Sequence, residues 1–212
     1  MLSTVVATAL LAAVATRLPR LARRYDGAAL APIAGRPDGA VDAALTRALQ
    51  AWVADGAGSG ATPLPWLRPT LPQPLSCARV PAGAAATVRH FGYHLAGYHQ
   101  LDARSRLGGI LYRLGVQLRP LLWFLPRRAD EPWDDAWLSV ADEGRLAALA
   151  RWLPRRPTLI VLDQPVGGLT ARVLAALSLA ARRGEYPVRV LVLDAGAAPG
   201  LHGLATPVQR KG

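Results

Sequence analysis

The stretch that decides the fold is Arg156–Ala195, which reads RPTLIVLDQPVGGLTARVLAALSLAARRGEYPVRVLVLDA. It contains two short, mostly apolar runs, Thr158–Leu162 and Val188–Leu193, and an aspartate follows each run directly. Between the runs, apolar residues recur at spacings of three and four, which is typical of an amphipathic helix. We therefore expect a βαβ unit whose two strands are buried in a parallel sheet.

The two aspartates, Asp163 and Asp194, end the two expected strands. Both would lie at the carboxyl edge of the sheet, which is where open α/β sheets bind ligands. The fold class that we predict is α/β, with a partial parallel sheet that includes the C-terminal βαβ unit. A mostly helical N-terminal part would precede this sheet.

The composition limits the classes of function. The chain has 212 residues, of which 51% are hydrophobic, and this is enough to bury a sizeable core. Its net charge is +11, but Lys211 is the only lysine and asparagine does not occur, as expected for a coding sequence of very high G+C content. Because that bias explains much of the arginine excess, we do not expect a nucleic-acid partner.

Cys77 is the only cysteine in the chain. A single cysteine excludes an intramolecular disulfide and a four-cysteine zinc site. It fits a reducing compartment, so the predicted location is the cytoplasm.

The N-terminus is apolar over Leu2–Thr16 and then strongly basic up to residue 24. No positive charge precedes the apolar segment, which argues against a cleavable signal peptide. The segment is also shorter than the roughly 20 residues that a spanning helix needs. We expect a buried or interfacial helix. The alternative is a membrane anchor through residues 1–24, with the rest of the chain facing the cytoplasm.

A proline-rich stretch divides the chain into three predicted parts. Residues 1–54 are expected to be helical and to include a helix over Ala40–Ala54, with Asp38 as its N-cap. Residues 55–86 carry six prolines and predict a linker. Residues 87–212 would form the α/β domain, with a frayed tail from Gly196 onward.

Two sequence elements in the C-terminal half resemble a known family. WLPRRPTLIVLD at Trp152–Asp163 has the Walker B pattern of an apolar run that ends in aspartate, and PVRVLVL at Pro187–Leu193 follows one helix later. WDDAWL at Trp133–Leu138 is similar to the W-D-x-G-F-L element that precedes this motif in STAND-type P-loop NTPases. Residues 133–195 together resemble the Walker B region of that family. Because too few strands are visible for a complete five-stranded NTPase sheet, we expect a truncated or diverged member.

The resemblance implies a site for ATP and Mg²⁺, in which Asp163 orients the metal at the β- and γ-phosphates. A P-loop also needs the pattern G-x-x-x-x-G-K-[ST]. In the nearest upstream match, Arg104 would replace the lysine and Ser105 would supply the hydroxyl, but no glycine loop precedes them. Gln164 stands where the family commonly has an acid that activates water. We expect Asp163, Gln164, Arg104 and Ser105 to bind the cofactor, Asp163 to be the Mg²⁺ ligand, and no residue to be catalytic.

Two alternatives concern individual residues. Asp163 also fits a structural role, as a strand-terminal aspartate that caps the following turn or helix. His90 and His94 would share one helix face, which is the spacing of a zinc-binding pair, with His99 and Asp102 nearby. The interleaved tyrosines favour a polar-aromatic helix face over a metal site.

Three functional hypotheses follow. The first is a degenerate nucleotide-binding module, similar to a P-loop NTPase, that regulates or scaffolds a protein partner without catalysis. The second is a membrane-associated accessory protein anchored by residues 1–24, and the third is an active ATPase with an atypical phosphate loop. A non-functional reading frame in a G+C-rich genome is a further alternative.

Overall fold

A computed structural model of the chain describes residue 8 and residues 37–54, 75–118, 131–139, 141–154, 156–165, 168–183 and 186–204. Over these ranges the chain forms a five-stranded, mostly parallel sheet with helices packed on both faces. The predicted α/β class is confirmed, and so is the C-terminal βαβ unit.

The described helices and strands alternate along the chain. In chain order they are α1 (Ala43–Ala54), β1 (Leu75–Pro81), a 3₁₀ turn (Ala82–Ala84), α2 (Ala85–Leu95), α3 (Tyr98–Asp102), α4 (Arg106–Leu118), β2 (Asp134–Leu138), α5 (Glu143–Arg151), β3 (Thr158–Asp163), α6 (Leu169–Arg183), β4 (Val188–Asp194) and β5 (His202–Leu204).

The order of the strands in the sheet is β2-β3-β4-β1-β5. Strands β1 to β4 are parallel to their neighbours, and β5 pairs antiparallel with β1. Pro81 of β1 is opposite Asp194 of β4, and Asp163 of β3 is opposite Leu193. The carboxyl ends of the four parallel strands therefore meet at one edge of the sheet, which we call the carboxyl edge.

Alternate residues of each strand belong to two separate cores. Ile160 and Leu162 of β3 pack with α5 and α6, on what we call the first face of the sheet. Leu159 and Val161 pack with α1 and α2, on the second face. All four side chains are fully buried, which explains why β3 reads as a continuous apolar run in the sequence.

Aspartates cap the first helix and the helix after β2. Oδ1 of Asp42 accepts hydrogen bonds from the backbone N–H of Ala44 (2.8 Å) and Leu45 (3.1 Å). Oδ1 of Asp142 accepts the backbone N–H of Arg145 at 2.7 Å. The predicted cap of α1, Asp38, is wrong: the helix begins at Ala43, and the adjacent Asp42 satisfies the first free N–H groups.

The predicted linker over residues 55–86 is also wrong in its last part. Residues 75–86 form β1, the 3₁₀ turn and the start of α2, whereas 55–74 lie outside the described residues. Pro81 is compatible with a strand because it is the final residue of β1. Leu49 of α1 and Val80 of β1 are buried in the same core, so α1 packs on the sheet and no domain boundary separates them.

Two further strands lie where the sequence did not predict them. Asp134–Leu138, quoted above as part of a family motif, forms the edge strand β2. His202–Leu204 forms β5 within the predicted frayed tail. The predicted N-terminal helix and its possible membrane contact fall on residues 1–24, which apart from Thr8 lie outside the described residues. Within the ranges described, no helix combines the length and apolarity needed to cross a membrane.

A buried ion pair lies at the opposite, amino edge of the sheet. Arg156 Nη1 lies 3.5 Å from Oδ1 of Asp134, and both side chains are almost completely buried. Arg156 Nη2 also donates a hydrogen bond of 3.1 Å to the carbonyl oxygen of Val116 in α4. The same guanidinium therefore connects β2 and α4 at the start of β3.

Gly97 occupies a position that tolerates no side chain. Its φ is +75°, and an added Cβ would lie 2.5 Å from Oη of Tyr112 and 3.2 Å from Cβ of Pro132. We predict that Gly97→Ala lowers the free energy of unfolding, measured with urea, by about 2 kcal/mol. Gly109→Ala is the matched control because nothing lies within 4 Å of its added Cβ. Equal stability of the two variants would contradict the packing of α4 described here.

Burial raises the pKa of the Cys77 thiol from 9.0 to about 11, although the nearby Arg79 opposes the shift. The unfolded thiol ionises first, so the contribution of Cys77 to stability is complete below pH 9 and is lost as the pH rises toward 11. We predict that stability falls over this window less steeply in Cys77→Ala than in the wild type, as measured by urea unfolding. Parallel pH profiles would contradict the prediction.

Candidate functional site

The carboxyl edge of the sheet holds the acids that the sequence singled out. Asp163 ends β3 and Asp194 ends β4, one strand away. By the alternation along each strand, Asp163 belongs to the second face with Val161, and Asp194 belongs to the first face with Val192. The two acids therefore share an edge but lie on opposite faces of the sheet.

Asp163 is engaged by an aromatic side chain from the neighbouring strand. Nε1–H of Trp137 in β2 donates a hydrogen bond to Oδ2 of Asp163 at 3.1 Å. The guanidinium carbon of Arg89, in α2, lies 4.8 Å from the centroid of the Trp137 ring. Arg89, Trp137 and Asp163 form one continuous contact from α2 to the end of β3, which we call the Arg–Trp–Asp stack.

Asp194 is engaged in a similar way on the first face. Its Oδ2 lies 3.3 Å from Nη1 of Arg79 in β1, and its Oδ1 accepts the backbone N–H of Gly196 at 2.9 Å. Both charged side chains are more than one third exposed, so this ion pair contributes less than about 1 kcal/mol to stability. Its local effect is to occupy both carboxylate oxygens.

Gln164 follows Asp163 and turns the chain out of the sheet. It has a φ of +44°, is exposed, and donates its backbone N–H to the carbonyl oxygen of Leu193 at 3.0 Å. A carboxamide cannot take up a proton as a carboxylate does. Gln164 therefore cannot replace an acid that activates water.

The structure places a strand, a tight turn and a helix at β1, residues 81–84 and α2, and this is the order that a phosphate-binding P-loop requires. If Thr87 is aligned with the hydroxyl residue of the motif, Val80 and Ala85 replace the two glycines and Ala86 replaces the lysine. Sequence reasoning missed this position because the motif residues are absent. The sequence feature that could have indicated it is VPAGAAAT at Val80–Thr87, which connects a short apolar run to a helix.

The start of α2 is already covered by the chain. Oγ1 of Thr87 accepts the backbone N–H of Asp42 at 3.1 Å, and Thr87 is buried. A Cβ added to Gly39 would lie 3.1 Å from Cβ of Ala86, so the segment before α1 packs on the first turn of α2. The threonine hydroxyl thus connects two helices at the position where a P-loop would use it to bind Mg²⁺.

These residues do not fit a magnesium nucleotide. Residues 82–84 form a 3₁₀ turn that continues directly into α2, and no side chain caps the helix at Ala84. Among the described residues of this edge, the cations Arg79 and Arg89 are held by Asp194 and Trp137 respectively. Ala86 stands at the position of the motif lysine, and Asp163 accepts a hydrogen bond from the indole of Trp137.

The structure does not bring Arg104 and Ser105 together with Asp163. They lie between α3 and α4, where Ser105 Oγ accepts the backbone N–H of Gly108 and Arg104 stacks on Tyr112, 4.4 Å from the ring centroid. Oη of Tyr112 packs beside Gly97 and Pro132, near the amino edge of the sheet. The predicted cofactor site is therefore divided between opposite edges, because residues 103–105 follow a helix and not a strand.

His90, His94 and His99 form an aromatic cluster. The ring centroids of His90 and His94 are 4.5 Å apart, and those of His94 and His99 are 4.6 Å apart. Partial burial, together with the charges of His90 and His99, lowers the pKa of His94. Asp102, the nearest carboxylate in the sequence, accepts a hydrogen bond from the Tyr93 hydroxyl. Within the described part of the chain, no group of three or more His, Cys, Asp or Glu side chains could hold a metal ion.

Comparison with known proteins gives no relative for this chain. No family model matches it, and neither a curated protein nor a solved structure is significantly similar to it. The resemblance of residues 133–195 to STAND-type P-loop NTPases therefore stays a prediction.

We predict that Asp163 has a structural role that its amide analogue can fulfil. Asp163→Ala should lower the free energy of unfolding by about 1–2 kcal/mol, because it leaves the partly buried indole N–H of Trp137 without its acceptor. Asp163→Asn should retain most of this stability, since an amide oxygen also accepts.

Urea unfolding of both variants, with Trp137→Phe and the double variant Asp163→Ala/Trp137→Phe, provides the measurement. The two single changes should be non-additive by about 1 kcal/mol. Additive effects, or an Asp163→Ala variant as stable as the wild type, would contradict the structural role.

Proposed function

We propose that this chain is a degenerate P-loop NTPase-like module that regulates or scaffolds a protein partner and does not hydrolyse ATP. The observation that carries the proposal is the β1–α2 turn. It has the strand–turn–helix order of a phosphate loop, but Ala85 and Ala86 replace its glycine and lysine, and Thr87 is bonded to the backbone of Asp42.

The arrangement of the strands supports an origin from a nucleotide-binding sheet. A Walker B aspartate can act on a phosphate loop only if both lie at the same edge and within reach of one ligand. Asp163 and the β1–α2 turn share the carboxyl edge and are separated by β4 alone, which corresponds to about 10 Å between strand axes. This spacing would accommodate the phosphates and the metal of a nucleotide.

The contacts at the edge support the loss of catalysis. Asp163 accepts from Trp137, Asp194 pairs with Arg79, and Gln164 offers no base. Both carboxylates are therefore engaged by other groups of the protein. A domain without this chemistry can still present its surface to a protein partner, and the single buried Cys77 supports a cytoplasmic location.

We predict that the full-length protein hydrolyses no ATP above the protein-free background. Its melting temperature should also be unchanged by millimolar ATP with Mg²⁺, because the β1–α2 turn has Ala86 where a phosphate loop has its lysine and forms a 3₁₀ turn in place of a glycine-rich loop. Phosphate release and differential scanning fluorimetry are the measurements. Hydrolysis by the wild type that Asp163→Ala abolishes would contradict the proposal and favour an active ATPase.

Restoring the loop tests whether the β1–α2 turn is a phosphate-loop remnant. Ala85→Gly/Ala86→Lys should gain a rise in melting temperature of about 3–6 °C in ATP with Mg²⁺, at nucleotide concentrations near ten times the new Kd. Ala85→Gly/Ala86→Met is the matched control, with a side chain of similar length and no charge. An equal response of the two variants would contradict the assignment of the turn.

A further inference from the structure

Helix α4 exposes a continuous apolar stripe. The structure describes eight exposed large apolar side chains, and five of them lie on this one helix: Leu107, Ile110, Leu111, Leu114 and Leu118. Leu107 is 76% exposed and Leu111 is 70% exposed, and the other three are about half exposed. At 100° per residue these five positions cover an arc of roughly 100°, which is the width of the buried face of an amphipathic helix.

The opposite side of α4 is attached to the protein, so the direction of the stripe is fixed. Tyr112 and Val116 are partly buried, Oη of Tyr112 packs against Gly97, and the carbonyl oxygen of Val116 accepts from Arg156. Arg156 is itself held by the buried Asp134. Because these contacts hold the inner side, the five apolar side chains point away from the core.

The charged side chains on α4 and just before it have one sign. Residues 103–118 contain Arg104, Arg106 and Arg113 and no acid, and the sequence adds three more arginines before Asp130. Arg106 and Arg113 are exposed and lie roughly 40–60° beyond Ile110, along one border of the stripe. Neither forms an ion pair within the described residues, and both are therefore available to an external anion.

Three candidates could cover the stripe: a second copy of the chain, the N-terminal apolar segment, or an anionic lipid bilayer. The positive charge of α4 distinguishes between them. A second copy would bring an identical cationic helix against the first, and the N-terminal apolar segment of the chain leads directly into four arginines of its own. Both would place like charges together. We propose that α4 docks on the surface of an anionic lipid bilayer.

The geometry of docking follows from the side chains. The helix lies in the plane of the membrane, and its leucines and isoleucine enter the boundary between headgroups and acyl chains. Arg106 and Arg113, at the border of the stripe, extend to the level of the lipid phosphates. This surface belongs to α4 and not to the carboxyl edge, and it does not depend on nucleotide binding.

Flotation of the full-length protein with lipid vesicles tests the proposal. The wild type should bind mixed phosphatidylglycerol–phosphatidylcholine vesicles, with much weaker binding to phosphatidylcholine alone and in high salt. Leu107→Gln/Leu111→Gln should reduce the fraction bound roughly tenfold or more. Leu153→Gln/Leu179→Gln removes two leucines of about half exposure elsewhere and should bind as the wild type does.

Arginine variants measure the electrostatic contribution to vesicle binding. Arg106→Gln/Arg113→Gln should weaken binding to the anionic vesicles, whereas Arg47→Gln/Arg151→Gln, with the same change in net charge, should have a much smaller effect. Vesicle binding that survives Leu107→Gln/Leu111→Gln would assign it to another segment and overturn the proposal. So would a wild-type dimer that the same variant converts to monomer, or binding to soluble polyglutamate without binding to vesicles.

Discussion

The parallel pairing of β4 with both β1 and β3 is the constraint on which the other features depend. It buries β4 on both faces, so helices must cover both sides of the sheet. It also sends the ends of β1, β3 and β4 to one edge. Asp163, Asp194 and the β1–α2 turn are neighbours there although 113 residues separate Pro81 from Asp194 in the chain.

The βαβ unit could be predicted because β3 and β4 are buried on both faces and therefore read as continuous apolar runs. The edge position of Asp163 and Asp194 followed from that pattern. Strand β1 could not be predicted in the same way. The prolines before it predicted a linker, whereas the strand itself contains only one proline, its last residue Pro81. Strand β2 begins with two buried acids, Asp134 and Asp135, and the charge partner of Asp134, Arg156, lies 22 residues away in the chain.

The carboxyl edge and α4 differ in whether their functional-looking side chains have contact partners within the protein. At the edge, each acid has a partner from another strand or a following turn, which converts a ligand-binding position into a structural one. The hydrogen bond between Trp137 and Asp163 joins residues 26 positions apart, so it could not be predicted from a local sequence pattern. On α4 the apolar stripe has no covering element among the described residues. The sheet edge therefore carries contacts within the protein, whereas α4 carries an exposed apolar surface.

The indole of Trp137 donates to Asp163 at the position where a nucleotide-binding protein would use the aspartate to bind a metal ion. The most direct measurement is the nitrogen–proton NMR signal of Nε1–H of Trp137, identified with Trp137→Phe. We expect this proton to be protected from exchange, Asp163→Ala to remove the protection, and ATP with Mg²⁺ to leave the signal in place. A signal that shifts and loses protection when ATP and Mg²⁺ are added would contradict this expectation.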